Sequence, residues 1–150
     1  MSADPNSNSI AWVDEVLATT PVARLGTTAN DEVRLVPVCF AIVDGWMVSA
    51  IDHKPKRTGQ LRRLDDMTAT GSATLLLDHY DDDWTQLWWV RVRGRAMVHS
   101  PREPEAVSAV AALAAKYHQY REQPPVGAVF RVAMDELRWW RWSEPWSKPQ

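Results

Sequence analysis

The chain reads as a mostly β domain with a few helices, a closed or partly closed barrel of about six antiparallel strands. Three observations predict it. Short apolar runs alternate with turn signals, Asp44-Gly45 foremost among them. Helical periodicity is confined to a few short stretches. Two tryptophan pairs, Trp88-Trp89 and Trp139-Trp140, fall inside strand-like runs. Neighbours in a strand point to opposite faces, so one ring of each pair needs cover beyond a single core. A helix, a ligand ring or another subunit can supply it.

In chain order, Ile10, Val13, Val16 and Leu17 mark a short amphipathic helix ending near Pro21. Val22 to Thr27 is a strand and Thr28-Ala29-Asn30-Asp31 its turn. Val33 to Val43 forms a second strand with Pro37 inside it. Proline donates no ladder hydrogen bond, so this strand lies at an edge, carries a bulge, or turns its missing N–H toward a ligand. Trp46 to Ile51 is the third strand and Thr58 to about Ala69 a helix. Ala73 to Asp78 is the fourth strand, followed by the polar loop 79–83. Leu87 to Val98 is a long fifth strand, bent or bulged at Gly94. Ser100-Pro101-Arg102-Glu103 combines a capping box with proline at the first helical position. The helix it opens carries Val107, Val110, Ala111 and Ala114 on one face. After Pro124-Pro125, Val126 to Trp142 gives one long or two short strands.

At 150 residues the chain is expected to be one domain over 1–150, with 1–8 disordered. A formal net charge of −2 argues against a general nucleic-acid binder. No apolar run reaches membrane-spanning length, and the polar start (Ser2, Asp4, Asn6, Asn8) does not read as a signal peptide. The single Cys39 has no disulfide partner, which fits a reducing cytoplasm.

The richest stretch is Trp46-Met47-Val48-Ser49-Ala50-Ile51-Asp52-His53-Lys54-Pro55-Lys56-Arg57-Thr58. A strand ends near a hydroxyl, passes three cations around a proline, and enters a helix with Thr58 as candidate N-cap. Free N–H groups, the helix dipole and cations there make an anion site, and a phosphorylated cofactor is the expected occupant. A solvated turn is the plainer account of the same residues.

Elsewhere the chemistry is sparse. There is no Gly-x-Gly-x-x-Gly, no Gly-Lys-Ser/Thr loop and no Gly-x-Ser-x-Gly elbow. His53, His79, His99 and His118 lack zinc-site spacing. Asp78, Asp81, Asp82 and Asp83 lack the glycine and distal glutamate of a calcium loop, and read as a solvated loop or as partners for the 54–57 cations. Arg91, Arg93 and Arg95 alternate along one strand face, two of them on its wet side. A cofactor would have to carry any reaction.

Three segments resemble one family: Arg34-Leu35-Val36-Pro37-Val38; Ser49 with Lys54-Pro55-Lys56-Arg57-Thr58; and Asp83-Trp84 with Leu87-Trp88-Trp89-Val90-Arg91 and Gly94. The chain resembles the pyridoxamine-phosphate-oxidase-like split β-barrels, and within them the actinobacterial enzymes that use the deazaflavin coenzyme F420. The resemblance runs from about Ile10 to Trp142. It implies a homodimer with two cofactor sites at the subunit interface and a small conjugated organic acceptor as substrate. Ser49, Lys54, Lys56, Arg57 and Thr58 would hold the phosphate, with Ala50, Ile51 and Pro55 in the same wall. The backbone of Val36, Pro37 and Val38 would lie beside the deazaflavin ring, and Trp84 and Trp88 would approach from the partner subunit. Five cations (Lys54, Lys56, Arg57, Arg62, Arg63) suit a phosphodiester with an oligoglutamate tail better than the monophosphate of FMN, which stays the alternative. The ending Arg141-Trp142-Ser143-Glu144-Pro145-Trp146 departs from the Arg-Leu-x-Pro type of true pyridoxamine phosphate oxidases. Rival roles are cofactor storage without turnover and haem handling, for which no histidine stands out as an axial ligand.

Overall fold

The structure, a computed structural model, describes residues 5–51 and 58–142, with side chains over 11–51 and 62–142. The described elements are α1 (Pro5–Thr19), β1 (Ala23–Ala29), β2 (Glu32–Val38), β3 (Ala41–Val43), β4 (Trp46–Ala50), α2 (Thr58–Thr70) and β5 (Ser72–His79). They continue through β6 (Trp88–His99), α3 (Pro104–Lys116), α4 (His118–Glu122), β7 (Val129–Ala133) and β8 (Glu136–Arg141), with a single 3₁₀ turn at Trp84–Gln86. Eight strands, not about six, form one antiparallel sheet in the order β2-β1-β5-β6-β7-β4-β3, with β8 on β6. The surplus comes from two divided runs. The stretch 33–43 breaks at Cys39–Phe40 into β2 and β3, and the last run divides into β7 and β8.

That second division is a bulge. β7 and β8 both run antiparallel along β6, with Ala96 facing Val132 and Arg93 facing Glu136. Gly94 and Arg95 of β6 therefore face three residues, Ala133, Met134 and Asp135, and the extra residue bends the sheet. Glycine is required at the bend, because a Cβ on residue 94 would sit 1.9 Å from the Ala133 carbonyl oxygen. The Asp135 carboxylate seals the bulge by accepting from the backbone N of Arg95 at 3.0 Å and from its guanidinium at 3.0 and 3.1 Å. Those bonds hold the Asp135 carboxyl below its ordinary range.

β2 is an end strand, which is how Pro37 is tolerated, paired in register with Arg24. Two cores meet across β4. Met47 faces the barrel interior with Val13, Leu25, Phe40, Met67, Leu75, Val90 and Phe130, while Val48 and Ala50 face Ala106, Ala109 and Leu113 of α3. α3 buries the expected face only in part, with Val110 packed on this second core and Ala106, Ala109 and Leu113 deepest in it. Val107 and Ala111 are exposed, and small alanines let the helix sit close to the sheet. Its first residue is Pro104, not Pro101. The Glu103 carboxylate does accept from the Ser100 backbone N, but this bond closes the turn before the helix.

The tryptophan pairs divide between the faces as alternation requires. Trp88 and Trp139 pack on the barrel core, Trp88 edge-on to Trp12 at 6.2 Å. Trp89 and Trp140 are cross-strand partners on the outer face, where Trp140 is exposed. Val33 and Leu35 on β2 are 68% and 73% exposed, and Leu76 is also at the surface. Among the described residues this outer face has no helix over it, since α1, α2 and α3 pack on the other surfaces.

Candidate functional site

The site arises where the sheet fails to close. No ladder joins β2 to β3 among the described residues, although two residues separate them. The peptide groups of Cys39 and Phe40 are satisfied by side chains instead. The Ser49 hydroxyl donates to the Cys39 carbonyl at 2.6 Å. The Tyr117 hydroxyl accepts from the Phe40 N at 3.0 Å and donates to the Pro21 carbonyl at 2.7 Å, with the Phe40 carbonyl at 3.1 Å. Burial pushes the Tyr117 hydroxyl up to about 12, so it stays protonated as the clamp needs. Lys116 lays its ammonium 3.6 Å from the Phe40 ring centre, where desolvation lowers its pKa to about 8.

Against this junction lies a cavity of about 170 Å³ lined by Val22, Pro37, Val38, Cys39, Ser49, Ala50, Arg63 and Tyr120. Four residues that the resemblance assigns to the cofactor, Pro37, Val38, Ser49 and Ala50, thus share one cavity. The volume falls short of the roughly 300–1,000 Å³ of a complete small-molecule site. Val36 packs against the barrel core and is not in the lining. Ile51 continues β4, its N donating to the Ala128 carbonyl, and Thr58 opens α2. Lys54, Pro55, Lys56 and Arg57 lie outside the described residues, between those two fixed points. Trp84 is 59% exposed on its 3₁₀ turn, and Trp88 stacks with His79 and meets Trp12 edge-on within its own chain. Neither lines this cavity.

Cys39 and Tyr120 in the lining, and Tyr117 in the clamp beside it, are residues that sequence reasoning did not single out. Arg63 was counted only among surplus cations, and nothing in the sequence brings the end of α3 to the β2–β3 crossing. Ser49 is buried and spends its proton on Cys39, leaving lone pairs toward the cavity.

Other constellations resolve differently. Asp78 pairs with Arg24 at 3.3 Å, and Asp83 caps the 3₁₀ turn through Thr85, which lowers its pKa. Arg91, Arg93 and Arg95 are all exposed. The first two border a cavity of about 440 Å³ on the outer face with Gly26, Thr28 and Thr74, holding none of the expected site residues. His99, Glu103 and Glu105 bring three potential metal-ligating atoms within 4.8 Å of one another. Arg131 Nε, however, donates to His99 Nε2 at 2.9 Å, so Nε2 is the accepting nitrogen of the ring and Nδ1 lies 3.5 Å from Glu103. A metal-bound imidazole needs the opposite arrangement.

No protein-family model matches the sequence, and no curated protein matches it. Solved structures do match. A conserved hypothetical protein of Mycobacterium tuberculosis aligns at TM-score 0.67 and 17% identity, over 87% of this chain and 83% of that one. A FAD-binding protein of Mesorhizobium loti aligns at 0.63 and 16%, over 87% and 90%. The haem storage protein HutZ of Vibrio cholerae aligns at 0.67 and 9%, over 87% and 92%. At such identities the likeness shows the fold alone: this chain has the split β-barrel fold of these proteins. Among the described residues no helix is long and apolar enough to cross a membrane.

Proposed function

We propose that the protein is an F420-dependent oxidoreductase that works as a homodimer, with one cofactor site at each split. The convergence of Pro37, Val38, Ser49, Ala50 and Arg63 on one cavity carries this reading. The chemistry of the lining fits such a group. Pro37 presents a backbone without N–H, against which a flat ring can lie, and Arg63 brings a cation for the anionic arm. Lys54, Lys56, Arg57 and Thr58, between β4 and the start of α2, would hold the phosphodiester. When bound, the deazaflavin supplies hydride transfer to or from a conjugated acceptor. The chain's own part is to bind the anion, fix the ring against β2 and exclude water. No side chain is assigned as proton donor.

The outer sheet face, with Val33, Leu35, Leu76 and Trp140 exposed, is the surface a second copy would cover. Together with a cavity too small for a whole ligand, it supports a dimer burying more than ~2,000 Å² in total. Sedimentation should give a dimer, and Leu35→Glu should yield a monomer with weakened cofactor binding. A wild-type monomer that binds tightly would sink the shared site.

The anion site is tested by Arg57→Ala and Arg63→Ala. Each removes a charge-assisted contact of about 1.5–3 kcal/mol, so affinity should fall roughly tenfold or more. Unchanged affinity in both proteins would remove the site. Turnover is tested by loading reduced F420 and offering enones and quinones; tight binding without oxidation by any acceptor would leave storage. FMN in the same cavity is the second reading, favoured by the FAD-binding neighbour from Mesorhizobium loti.

A further inference from the structure

We propose that Asp66 is a positioning residue that locks the two walls of the split cavity together through Thr27 and Arg34, and so sets how tightly the anionic cofactor is held. The inference rests on the cofactor reading above but draws on a different set of residues. Asp66 is the one buried carboxylate among the described residues, 4% exposed. Its Oδ2 accepts from the Thr27 hydroxyl at 2.9 Å. Arg34 Nη1 reaches both of its oxygens at 3.0 Å. Thr27 belongs to β1, Arg34 to β2 and Asp66 to α2.

Each end of the pair shares an element with the cavity wall. Arg34 stands three residues before Pro37 on β2, and Asp66 stands three residues, about one turn, after Arg63 on α2. Farther along, α2 is pinned by its own end. Gly71, at φ +68°, gives its N to the Met67 carbonyl, and its carbonyl accepts from Ala96 N on β6. The helix is thus fixed to the sheet at residues 66–71, and Arg63 and Thr58 extend from that anchor toward the cavity and the basic segment. Without the Asp66–Arg34 bond α2 loses this side-chain tie, three residues beyond Arg63 along the helix, to β2, the strand that carries Pro37.

Filling space does not require a charge here. Apolar residues of similar size often replace a buried ion pair without loss of stability, whereas removing one partner alone is costly. What an apolar pair cannot reproduce is a charge-assisted contact in which one carboxylate takes Arg34 Nη1 on both oxygens and the Thr27 hydroxyl on one, tying three elements at a single point.

The test compares wild type, Asp66→Asn and the double variant Arg34→Met/Asp66→Leu by F420 titration, turnover, thermal midpoint and hydrogen exchange. Asp66→Asn should loosen binding ~tenfold and raise KM while kcat changes less than about twofold. The double variant should regain thermal stability without regaining affinity, and in both variants exchange should quicken in α2 but not in β5 and β6. A double variant that recovers affinity along with stability would overturn the proposal. If wild type itself binds no F420, the cofactor reading fails, and exchange alone decides the coupling. Faster exchange confined to α2 then upholds it, and unchanged or uniformly faster exchange overturns it.

Discussion

The molecule turns two corners, and it turns them by opposite means. At Gly94 the ladder survives: β7 and β8 keep their pairing with β6 on either side of a one-residue bulge, and Asp135 satisfies the Arg95 backbone. At Cys39–Phe40 the ladder is abandoned, and hydroxyls from β4 and from Tyr117, between α3 and α4, take over the peptide groups. The first corner is closed to everything, since even a methyl group on residue 94 meets a carbonyl. The second leaves a cavity lined by the residues that resemble a cofactor site. A barrel gains a ligand site where side chains replace strand pairing, because such groups can be arranged around a gap and a ladder cannot.

The contrast can be broken most severely at the closed corner. Gly94→Val should destabilise the fold by ~3 kcal/mol or more, through overpacking against backbone that cannot yield, as chemical denaturation would register. A loss below about 1 kcal/mol would mean the bulge is soft. At the open corner Tyr117→Phe should cost about 1–3 kcal/mol, since it strands the Phe40 N and the Pro21 carbonyl together. Ser49→Ala strands only the Cys39 carbonyl and should cost about 1 kcal/mol, with a matching loss of cofactor affinity if this hydroxyl shapes the cavity.

The smallest effect is a pH dependence at the same corner. Between pH about 8 and 10.5 the unfolded chain keeps a proton on Lys116 that the folded chain has lost. Stability should therefore rise across that window, by about 1 kcal/mol once partial exposure is allowed for. Above the ordinary tyrosine value of 10.0, stability should fall again toward 12, because folded Tyr117 holds a proton that the unfolded chain gives up. Thermal midpoints of Lys116→Met measured over the same range should lack the rise. A rise that persists would assign it elsewhere.

Much of this was legible in the sequence, for local reasons. Asp44-Gly45 forms its hairpin with both residues at positive φ, and alternation correctly parted Trp88 from Trp89. Pro37 announced an edge, a bulge or a missing N–H turned to a ligand, and β2 is an end strand. What failed depended on distant partners. The break at Cys39 has no local signal, since Val38, Phe40 and Ala41 are as apolar as the strands beside them; it exists because Tyr117, 77 positions away, can clamp Phe40. The face of α3 was read only in part, because bulky Val107 suggested a core position, whereas the buried positions are Ala106, Ala109 and Leu113. Of the cavity, the strand residues could be read beforehand, but Arg63 and Tyr120 needed the helices in place.

The central claim is that the open corner binds a deazaflavin. Fluorescence titration of the wild-type protein with F420 and with FMN tests it most directly. The account predicts a colourless preparation as purified that binds F420 at least ~tenfold more tightly than FMN. A yellow, FMN-loaded preparation, or no change in fluorescence with either compound, would contradict it.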